Sequence, residues 1–169
     1  MAPRLLAVLT AGTASIGALA LAALVAMPAE SASGNPFHQL NGYWTGSGTV
    51  TPPKGQAEKV SCRVTYSVAG SAVTQNMRCA GTDYKFNTSS KLTYSGGKIT
   101  GSWSETTYDA SGTVSGTASG NIVRARISGD KFSGRMSINV SGSRHSINIV
   151  QFDKGSGAYR PAASVSLHR

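Results

Sequence analysis

Residues 60–80 read VSCRVTYSVAGSAVTQNMRCA, and this stretch decides the fold. Apolar and polar residues alternate on both sides of Gly70-Ser71, a pair with glycine first that is typical of a two-residue β-hairpin turn. Folding the stretch at this turn places Cys62 opposite Cys79, and a cross-strand disulfide is expected because facing residues lie about 4.5 to 5.5 Å apart. The same register pairs the other residues of this face: Val64 with Met77, Tyr66 with Gln75, and Val68 with Val73.

The alternation continues through the rest of the chain. Residues 34–169 are rich in Gly, Ser and Thr and show almost no apolar pattern of helical period, so β-strands are the consistent interpretation. A slip of one residue would turn a whole strand over, so each turn must keep the apolar faces aligned. Turns at Gly81-Thr82, Gly96-Gly97, residues 109–111, Gly120-Asn121, Gly129-Asp130 and Gly142-Ser143 do so. They pair Cys79 with Tyr84, Met77 with Phe86, Tyr94 with Ile99, Leu92 with Gly101, Trp103 with Gly116, Ala118 with Val123, Val114 with Ile127, Ile127 with Phe132, Val123 with Met136, Val140 with His145, and Ile138 with Ile147.

These turns predict an all-β fold of about ten antiparallel strands in up-and-down order. The first strand covers residues 42–50, and the last, residues 163–169, buries Val165 and Leu167. An open sheet of this kind would expose its apolar face to water and leave two strand edges unpaired. Closing the sheet into a barrel buries the face and pairs the edges, so a lipocalin-like barrel is predicted. A two-sheet sandwich is the alternative. A membrane-spanning barrel is disfavoured because arginines on the outward face would contact lipid: Arg63, Arg78, Arg124, Arg126 and Arg135.

The first 33 residues have the features of a secretory signal peptide. Arg4 precedes an uncharged run rich in Ala and Leu, and Pro28 and small residues follow it. Cleavage is expected after Ser31 or Ser33, which leaves residues 34–169 as a single barrel domain in the periplasm or outside the cell. An uncleaved membrane anchor is the alternative, since about 20 apolar residues can span a bilayer. The two cysteines agree with export, because disulfides persist in oxidising compartments.

The chain carries a net charge of +9, which favours anionic partners without identifying them. Several basic residues are predicted on the outer face of the seventh and eighth strands and at nearby turns: Arg124, Arg126, Lys131, Arg135 and Arg144. One interpretation is that this face contacts anionic lipid headgroups or polysaccharide. The alternative is that these residues serve solubility and protect strand edges. Nucleic acid is not predicted as a partner, because the basic residues lack interleaved aromatic stacking positions.

Residues 40–48 read LNGYWTGSG, and this segment resembles the G-x-W start of lipocalin-like barrels. Its G-x-W-x-G-x-G form is similar to that of nitrobindin. In those families the Trp closes one end of the barrel beneath an Arg from the far end of the chain, and Trp44 and Arg169 match those places. The chain, with its NPF, GYWTGSG and GSWSE segments, also resembles small exported alphaproteobacterial proteins of unknown function.

Nitrobindin-like barrels bind haem through a His near the C-terminus, and the nearest match is His168. This residue is out of phase with Val165 and Leu167 and is predicted to point outward, so no haem or other cofactor is predicted. His38, His145 and His168 have no metal-ligand spacing with Cys or carboxylates, so no metal is predicted either.

The sequence carries no catalytic signature. Six carboxylates lie outside the leader, and they are too scattered to form an acid and base pair. No serine lies in a nucleophile-elbow context. The protein is therefore predicted not to be an enzyme.

A polar lining of the barrel interior is the remaining candidate site. Glu58 is in phase with the inward residues Val60 and Cys62, and Glu105 is in phase with Trp103. Either carboxylate lines a cavity and orients a ligand, or it lies where its strand leaves the barrel and reaches solvent. The predicted ligand-lining set is Glu58, Tyr66, Gln75, Trp103, Glu105, His145 and Gln151.

These features predict a binding barrel for a small apolar or amphipathic ligand in the cell envelope. The alternative function is an envelope structural or interaction protein that works through its basic outer face. Glycines at inward positions are compatible with both, because they either leave space in the lumen or let the barrel flatten and fill: Gly46, Gly48, Gly101, Gly116 and Gly134.

Overall fold

The computed structural model describes residues 35–52 and 55–169, and the predicted signal peptide over residues 1–33 lies outside them. A short 3₁₀ helix precedes ten strands in the described part of the chain. The helix covers Pro36–Leu40, and the strands are β1 Gly42–Val50, β2 Glu58–Ala69, β3 Ala72–Ala80, β4 Lys85–Ser95, β5 Lys98–Glu105, β6 Ala110–Ser119, β7 Ile122–Gly129, β8 Gly134–Ser141, β9 Arg144–Asp153 and β10 Ala158–His168. Among the described residues, no helix is long and apolar enough to cross a membrane.

The strands form a closed antiparallel barrel, which confirms the predicted fold and rules out the sandwich. Each strand pairs with its neighbours in the chain, and β1 also pairs with β10 from Thr45 opposite His168 to Val50 opposite Ala163. We call this pairing of β1 with β10 the seam. Closure leaves no edge strand among the ten described strands, and exposed edge strands are the sites at which β-sheets pair with other chains and aggregate.

The up-and-down order gives the barrel two different ends. The closed end holds the 3₁₀ helix and four two-residue turns: Gly70-Ser71, Gly96-Gly97, Gly120-Asn121 and Gly142-Ser143. The first glycine of each turn has φ between +54° and +58°, a conformation that costs glycine little. The open end holds the longer connections, over residues 51–57, 81–84, 106–109, 130–133 and 154–157.

Every register predicted across a closed-end turn is confirmed. Cys62 lies opposite Cys79, and Tyr66 lies opposite Gln75. The remaining closed-end pairs are also as predicted: Val64 with Met77, Val68 with Val73, Tyr94 with Ile99, Leu92 with Gly101, Ala118 with Val123, Val114 with Ile127, Val140 with His145, and Ile138 with Ile147. A glycine that accepts positive φ marks each turn, and this feature can be read in the sequence.

The registers predicted across three open-end connections are wrong. The observed pairs are Cys79 with Phe86, Met77 with Thr88, Trp103 with Gly112, Ile127 with Gly134, and Val123 with Ile138. The physical reason is that these connections hold four residues outside the strands, where shorter or later turns were predicted. Each error is an even number of residues, so the inward and outward faces are still the predicted ones.

Two of the inward glycines bring strands together at the seam. A Cβ atom added at Gly46 would collide with the carbonyl oxygen of Ser166, and one at Gly48 would collide with that of Ser164. The backbone of β10 already occupies the space that a side chain would need. At these two positions the glycines therefore allow close approach of strands and add no volume to the lumen.

The closed half of the barrel is filled by a hydrophobic core. Trp44 and Leu40 are fully buried, and Phe37 from the 3₁₀ helix packs on the same cluster. The core also includes inward residues from the strands around it: Val64, Val73, Val140, Ile147, Val165 and Leu167. The predicted burial of Val165 and Leu167 is confirmed.

The disulfide between Cys62 and Cys79 forms as predicted and joins β2 to β3. Both cysteines are buried, and they are 17 residues apart in the chain. The bond reads as a structural staple, because it limits the freedom of the unfolded chain between them.

Replacing both cysteines, Cys62→Ser with Cys79→Ser, should lower the free energy of unfolding by about 3 kcal/mol, because a loop of this length loses its cross-link. Urea unfolding measures the change. As a control, reductant should destabilise the wild type by a similar amount and leave the double variant unaffected. Equal stability of the oxidised wild type and the double variant would contradict the role as a staple.

Candidate ligand-binding cavity

Trp44 and Arg169 close one end of the barrel together. The indole Nε1 of Trp44 donates a hydrogen bond to the carbonyl oxygen of Leu40 at 2.6 Å. The guanidinium carbon of Arg169 lies 4.6 Å from the centre of the Trp44 ring, and its NH1 donates to the carbonyl oxygen of Asn41 at 3.0 Å. The first and last parts of the barrel are thus joined by a cation–π contact and a hydrogen bond.

His145 is buried directly beside this closure. Its ring centre lies 4.6 Å from that of Trp44 and 5.6 Å from that of Tyr66, with both contacts edge-on. Neither ring nitrogen has a hydrogen-bond partner among the described residues. Burial lowers the pKa of His145 to about 4, so the ring is uncharged at neutral pH.

Tyr66 separates this packed end from the open half of the barrel, and we call it the floor. Above the floor the barrel is hollow. A cavity of about 1080 Å³ extends from Phe37 and Tyr66 to the loops of the open end. One wall, on β6 to β9, is mostly aliphatic, and its exceptions are Met136 and, near the mouth, Gln151: Val114, Val123, Ala125, Ile127, Met136, Ile138, Ile149 and Gln151. Small-molecule sites typically measure about 300 to 1,000 Å³ and are mostly apolar, so this cavity is large enough for a ligand of that size.

The opposite wall, on β2 to β4, carries hydroxyl and amide groups. Tyr66 lies opposite Gln75, and Gln75 lies opposite Ser90. Thr88 lies in the next row toward the open end. The phenol oxygen of Tyr66 and the hydroxyl oxygen of Thr88 are buried and have no hydrogen-bond partner among the described residues. We call Tyr66, Gln75, Thr88 and Ser90 the polar wall.

Aromatic rings surround the open end of the cavity. Tyr84 and Tyr108 stack with their ring centres 5.5 Å apart, and Trp103 meets Phe132 edge-on at 6.1 Å. Burial, with smaller contributions from Tyr108 and Glu105, raises the pKa of Tyr84 to about 12, so this phenol stays uncharged at neutral pH. The mouth is therefore largely aromatic.

Glu105 is buried at the mouth and holds the β5–β6 connection in place. Its carboxylate accepts hydrogen bonds from the backbone N–H groups of Asn87, Thr107 and Tyr108, at 2.8, 2.9 and 2.6 Å. Burial raises the pKa of this carboxyl, but the three backbone donors outweigh it, and the net pKa is below its ordinary value. Glu105 is thus an ionised anchor for the loop as well as a residue of the lining.

Glu58 has a similar structural bond at a second loop. Its carboxylate accepts a hydrogen bond from the backbone N–H of Asp83 at 2.9 Å, in the connection between β3 and β4. Unlike Glu105, Glu58 is only partly buried. Both carboxylates therefore lie at the rim of the barrel and fix the loops that form its opening.

The structure brings most of the predicted lining residues to one cavity. Glu58, Tyr66, Gln75, Trp103, Glu105 and Gln151 all contact it. His145 does not line the cavity, because it lies deeper, beneath Tyr66. Sequence reasoning missed a group of lining residues near the open end and on the polar wall: Tyr84, Phe86, Thr88, Ser90, Tyr108, Phe132 and Met136. Thr88 and Ser90 could have been found, since they are in phase with Phe86 and Leu92.

The predicted basic residues do not form one surface. Arg124, Arg126 and Arg135 lie together on the outside of β7 and β8. Lys131 lies at the open end and donates to the carbonyl oxygens of Tyr108 and Asp109. Arg144 begins β9 at the closed end. His168 is exposed, and no cluster of potential metal ligands is present among the described residues.

The fold is lipocalin-like, and solved structures share it at low sequence identity. Rv2717c from M. tuberculosis aligns with a TM-score of 0.65 and 13% identity over 79% of this chain and 96% of that one. The S-type phycobiliprotein lyase CPES from Guillardia theta aligns with a TM-score of 0.54 and 12% identity, over 79% of this chain and 89% of that one. A protein of unknown function from the DUF3598 family of Nostoc punctiforme aligns with 0.53 and 11%, over 79% of this chain and 48% of its own length. No protein family and no curated protein matches the sequence.

Stability should rise with pH between about pH 4 and 6.5, because unfolded His145 binds a proton in this window and folded His145 does not. The difference between the two ends of the window is up to roughly 3 kcal/mol. Urea unfolding at pH 4.5 and 7.5 measures it. His145→Phe and His145→Gln should both reduce the difference, whereas the exposed His168→Gln should keep it.

A residual loss of stability in acid is expected in the His145 variants, because the depressed pKa of Glu105 also makes its stabilisation disappear as pH falls. If both His145 variants retained the full wild-type difference, His145 would not be its source. Titration of the His145 ring by NMR provides a direct reading in the wild type.

Proposed function

We propose that the protein is a non-catalytic carrier that holds a small apolar or amphipathic molecule in the barrel cavity, in the cell envelope or outside the cell. The single observation that carries this proposal is the cavity of about 1080 Å³ with an aliphatic wall. A barrel whose interior served only as a core would be filled, since protein interiors normally have few voids larger than a water molecule. Here the closed half is filled and the open half is hollow.

The location follows from the predicted signal peptide and agrees with the disulfide, which needs an oxidising compartment. The carrier role without catalysis follows from the lining. Of the three carboxylates among the described residues of the lining, Glu58 and Glu105 are engaged by backbone N–H groups, and Asp83 lies in the β3–β4 connection at the mouth. His145 lies beneath the cavity floor, so no histidine accompanies these carboxylates among the described residues of the lining.

Binding of the apolar dye N-phenyl-1-naphthylamine should give a fluorescence increase that saturates with one dye per barrel. Ala125→Phe places a ring into the aliphatic wall and should weaken binding by about tenfold or more, which corresponds to about 1.4 kcal/mol. Ala69→Phe adds the same ring on the outer face near the closed end and serves as the matched control. Native mass spectrometry of the exported protein should show the mass of a co-purified ligand.

Dye binding that is absent in the wild type, or equal in Ala125→Phe and Ala69→Phe, would contradict the proposal. A native mass spectrum with the protein mass alone would remove the support for a retained natural ligand. In that case the dye result decides whether the cavity is accessible.

A second candidate function is contact with an anionic envelope surface, and two arginine pairs favour it. Arg63 lies directly opposite Arg78 on β2 and β3, and Arg126 lies directly opposite Arg135 on β7 and β8. Like charges at facing positions destabilise a sheet, so these pairs cost stability unless an anion bridges them. Each pair lies in a depression of the outer wall.

Among the described residues, no acidic side chain forms an ion pair with the paired arginines. All the carboxylates of the described residues lie at or beside the open-end connections: Glu58, Asp83, Glu105, Asp109, Asp130 and Asp153. The ion pairs found among the described residues join Lys131 to Asp109 and Arg160 to Asp153. The guanidinium carbon of Arg135 lies 4.2 Å from the centre of the Tyr159 ring, so its contact is with an aromatic face.

Co-sedimentation with vesicles tests this second function. The protein should bind vesicles that contain phosphatidylglycerol, and Arg126→Gln with Arg135→Gln should reduce binding more than Lys59→Gln with Lys154→Gln, a control with the same change in charge. Salt should weaken binding, because exposed charges are screened within about 10 Å at 0.1 M. Equal losses in the two double variants would show that net charge alone is responsible.

A further inference from the structure

The polar wall contains two hydroxyl groups that have no hydrogen-bond partner among the described residues. Tyr66 is buried to more than nine tenths and lines the cavity, and its phenol oxygen has no hydrogen-bond partner among the described residues. The hydroxyl oxygen of Thr88, one row nearer the mouth, is also buried and also has no hydrogen-bond partner among the described residues. A buried polar group without a partner lowers the stability of the folded state, and Phe and Val at these positions would avoid that cost.

Two further polar side chains lie beside these hydroxyls. Gln75 pairs directly with Tyr66 and with Ser90, so the three side chains form one row across β2, β3 and β4. Facing and diagonal side chains in a sheet lie within about 4.5 to 8 Å of one another, a span that several atoms of one ligand can cover. The four groups therefore form one concentrated polar area that faces an aliphatic wall.

The charges of the lining determine the kind of polar group that fits. Lys131 is the one cationic residue among the described residues of the lining, and it lies at the mouth bound to backbone carbonyls. The acidic residues of the lining also lie near the mouth: Glu58, Asp83 and Glu105. A carboxylate on the ligand would reach the polar wall without a counter-charge, and burying an unpaired charge is far more costly than burying a neutral group.

The donors of the polar wall favour an oxygen acceptor. Burial raises the pKa of Tyr66, so its phenol remains protonated and able to donate. Thr88 and Ser90 each donate one O–H, and Gln75 donates through its NH₂ group. A carbonyl oxygen accepts such hydrogen bonds with both lone pairs, and it adds no charge.

Building on the proposed function, we infer that the natural ligand is a neutral, mostly apolar molecule with carbonyl or hydroxyl oxygens along one edge. Those oxygens bind the polar wall on β2 to β4, and the apolar body lies against the aliphatic wall on β6 to β9. The ligand enters through the aromatic mouth and is oriented by this difference between the two walls.

Displacement of N-phenyl-1-naphthylamine by three probes of equal chain length tests this inference: 2-undecanone, n-undecane and undecanoate. The ketone should displace the dye at about one tenth the concentration of the alkane, because one well-placed hydrogen bond in a buried site contributes about 1 to 1.5 kcal/mol. Undecanoate should be weaker than the ketone at pH 7.5.

The double variant Tyr66→Phe with Thr88→Val removes the two unpartnered hydroxyls and should abolish most of the preference for the ketone over the alkane. Tyr43→Phe with Thr113→Val removes the same groups from exposed outer positions and should keep the preference. Without ligand, the Tyr66 and Thr88 variant should unfold at a urea concentration at least as high as that of the wild type. Tyr66→Phe alone tests the same loss of ketone preference and the same urea midpoint, and it changes the volume of the lining less.

The outcomes separate this inference from the proposed function. Failure of the dye to bind contradicts the proposed function itself. Dye binding with equal displacement by ketone and alkane, or a ketone preference that survives Tyr66→Phe with Thr88→Val, overturns the inference and leaves the cavity as a binding site. Stronger displacement by undecanoate than by the ketone would show that the ligand class is anionic. A loss of stability in both Tyr66 variants would assign the hydroxyls a structural role and overturn the inference too.

Discussion

The hydrogen-bonded pairing of β1 with β10 is the constraint on which the rest of the molecule depends. It turns a ten-stranded sheet into a closed surface, so each inward side chain has a defined set of neighbours around the ring. The seam requires glycine at Gly46 and Gly48, because the β10 backbone occupies the place of their side chains. The closure between Trp44 and Arg169 lies at the same joint and ties the two strands of the seam to the floor.

The interior is divided between stability and binding. Below Tyr66 the barrel is packed with Trp44, Leu40 and aliphatic side chains, and burial of these apolar side chains stabilises the fold. Above Tyr66 the side chains line a cavity, and two hydroxyls there lack partners among the described residues. The packed half and the disulfide contribute stability that offsets the stability lost because the open half is not filled.

The fold was predictable because two signals in the sequence agree. Strict alternation set the inward face of each strand, and glycine at the first position of each closed-end turn set the register there. The open-end registers were not predictable from the alternation, and in two of the three connections carboxylate-to-backbone hydrogen bonds shape the loop. Glu58 accepts from Asp83 and Glu105 accepts from the 106–109 connection, and neither contact is visible in a local pattern.

The candidate site was predictable in part for the same reason. Tyr66, Gln75 and Trp103 follow from phase alone, and the errors in register did not affect them because those errors were even. The stacked pair Tyr84 and Tyr108 comes from two separate connections, so only the three-dimensional structure brings it together. The depth of His145 also escaped prediction, because alternation says which side chains point inward but not how far from the mouth they lie.

The chain contains two tryptophans, and the barrel places them in different environments. Trp103 lines the cavity near the mouth, where a bound molecule would contact its indole, whereas Trp44 is fully buried on the other side of the floor. Fluorescence from Trp103 can thus report occupancy of the lumen, while that from Trp44 serves as an internal reference for the integrity of the closed end. The two tryptophans thus lie on opposite sides of Tyr66, with Trp103 facing the lumen and Trp44 facing the packed end.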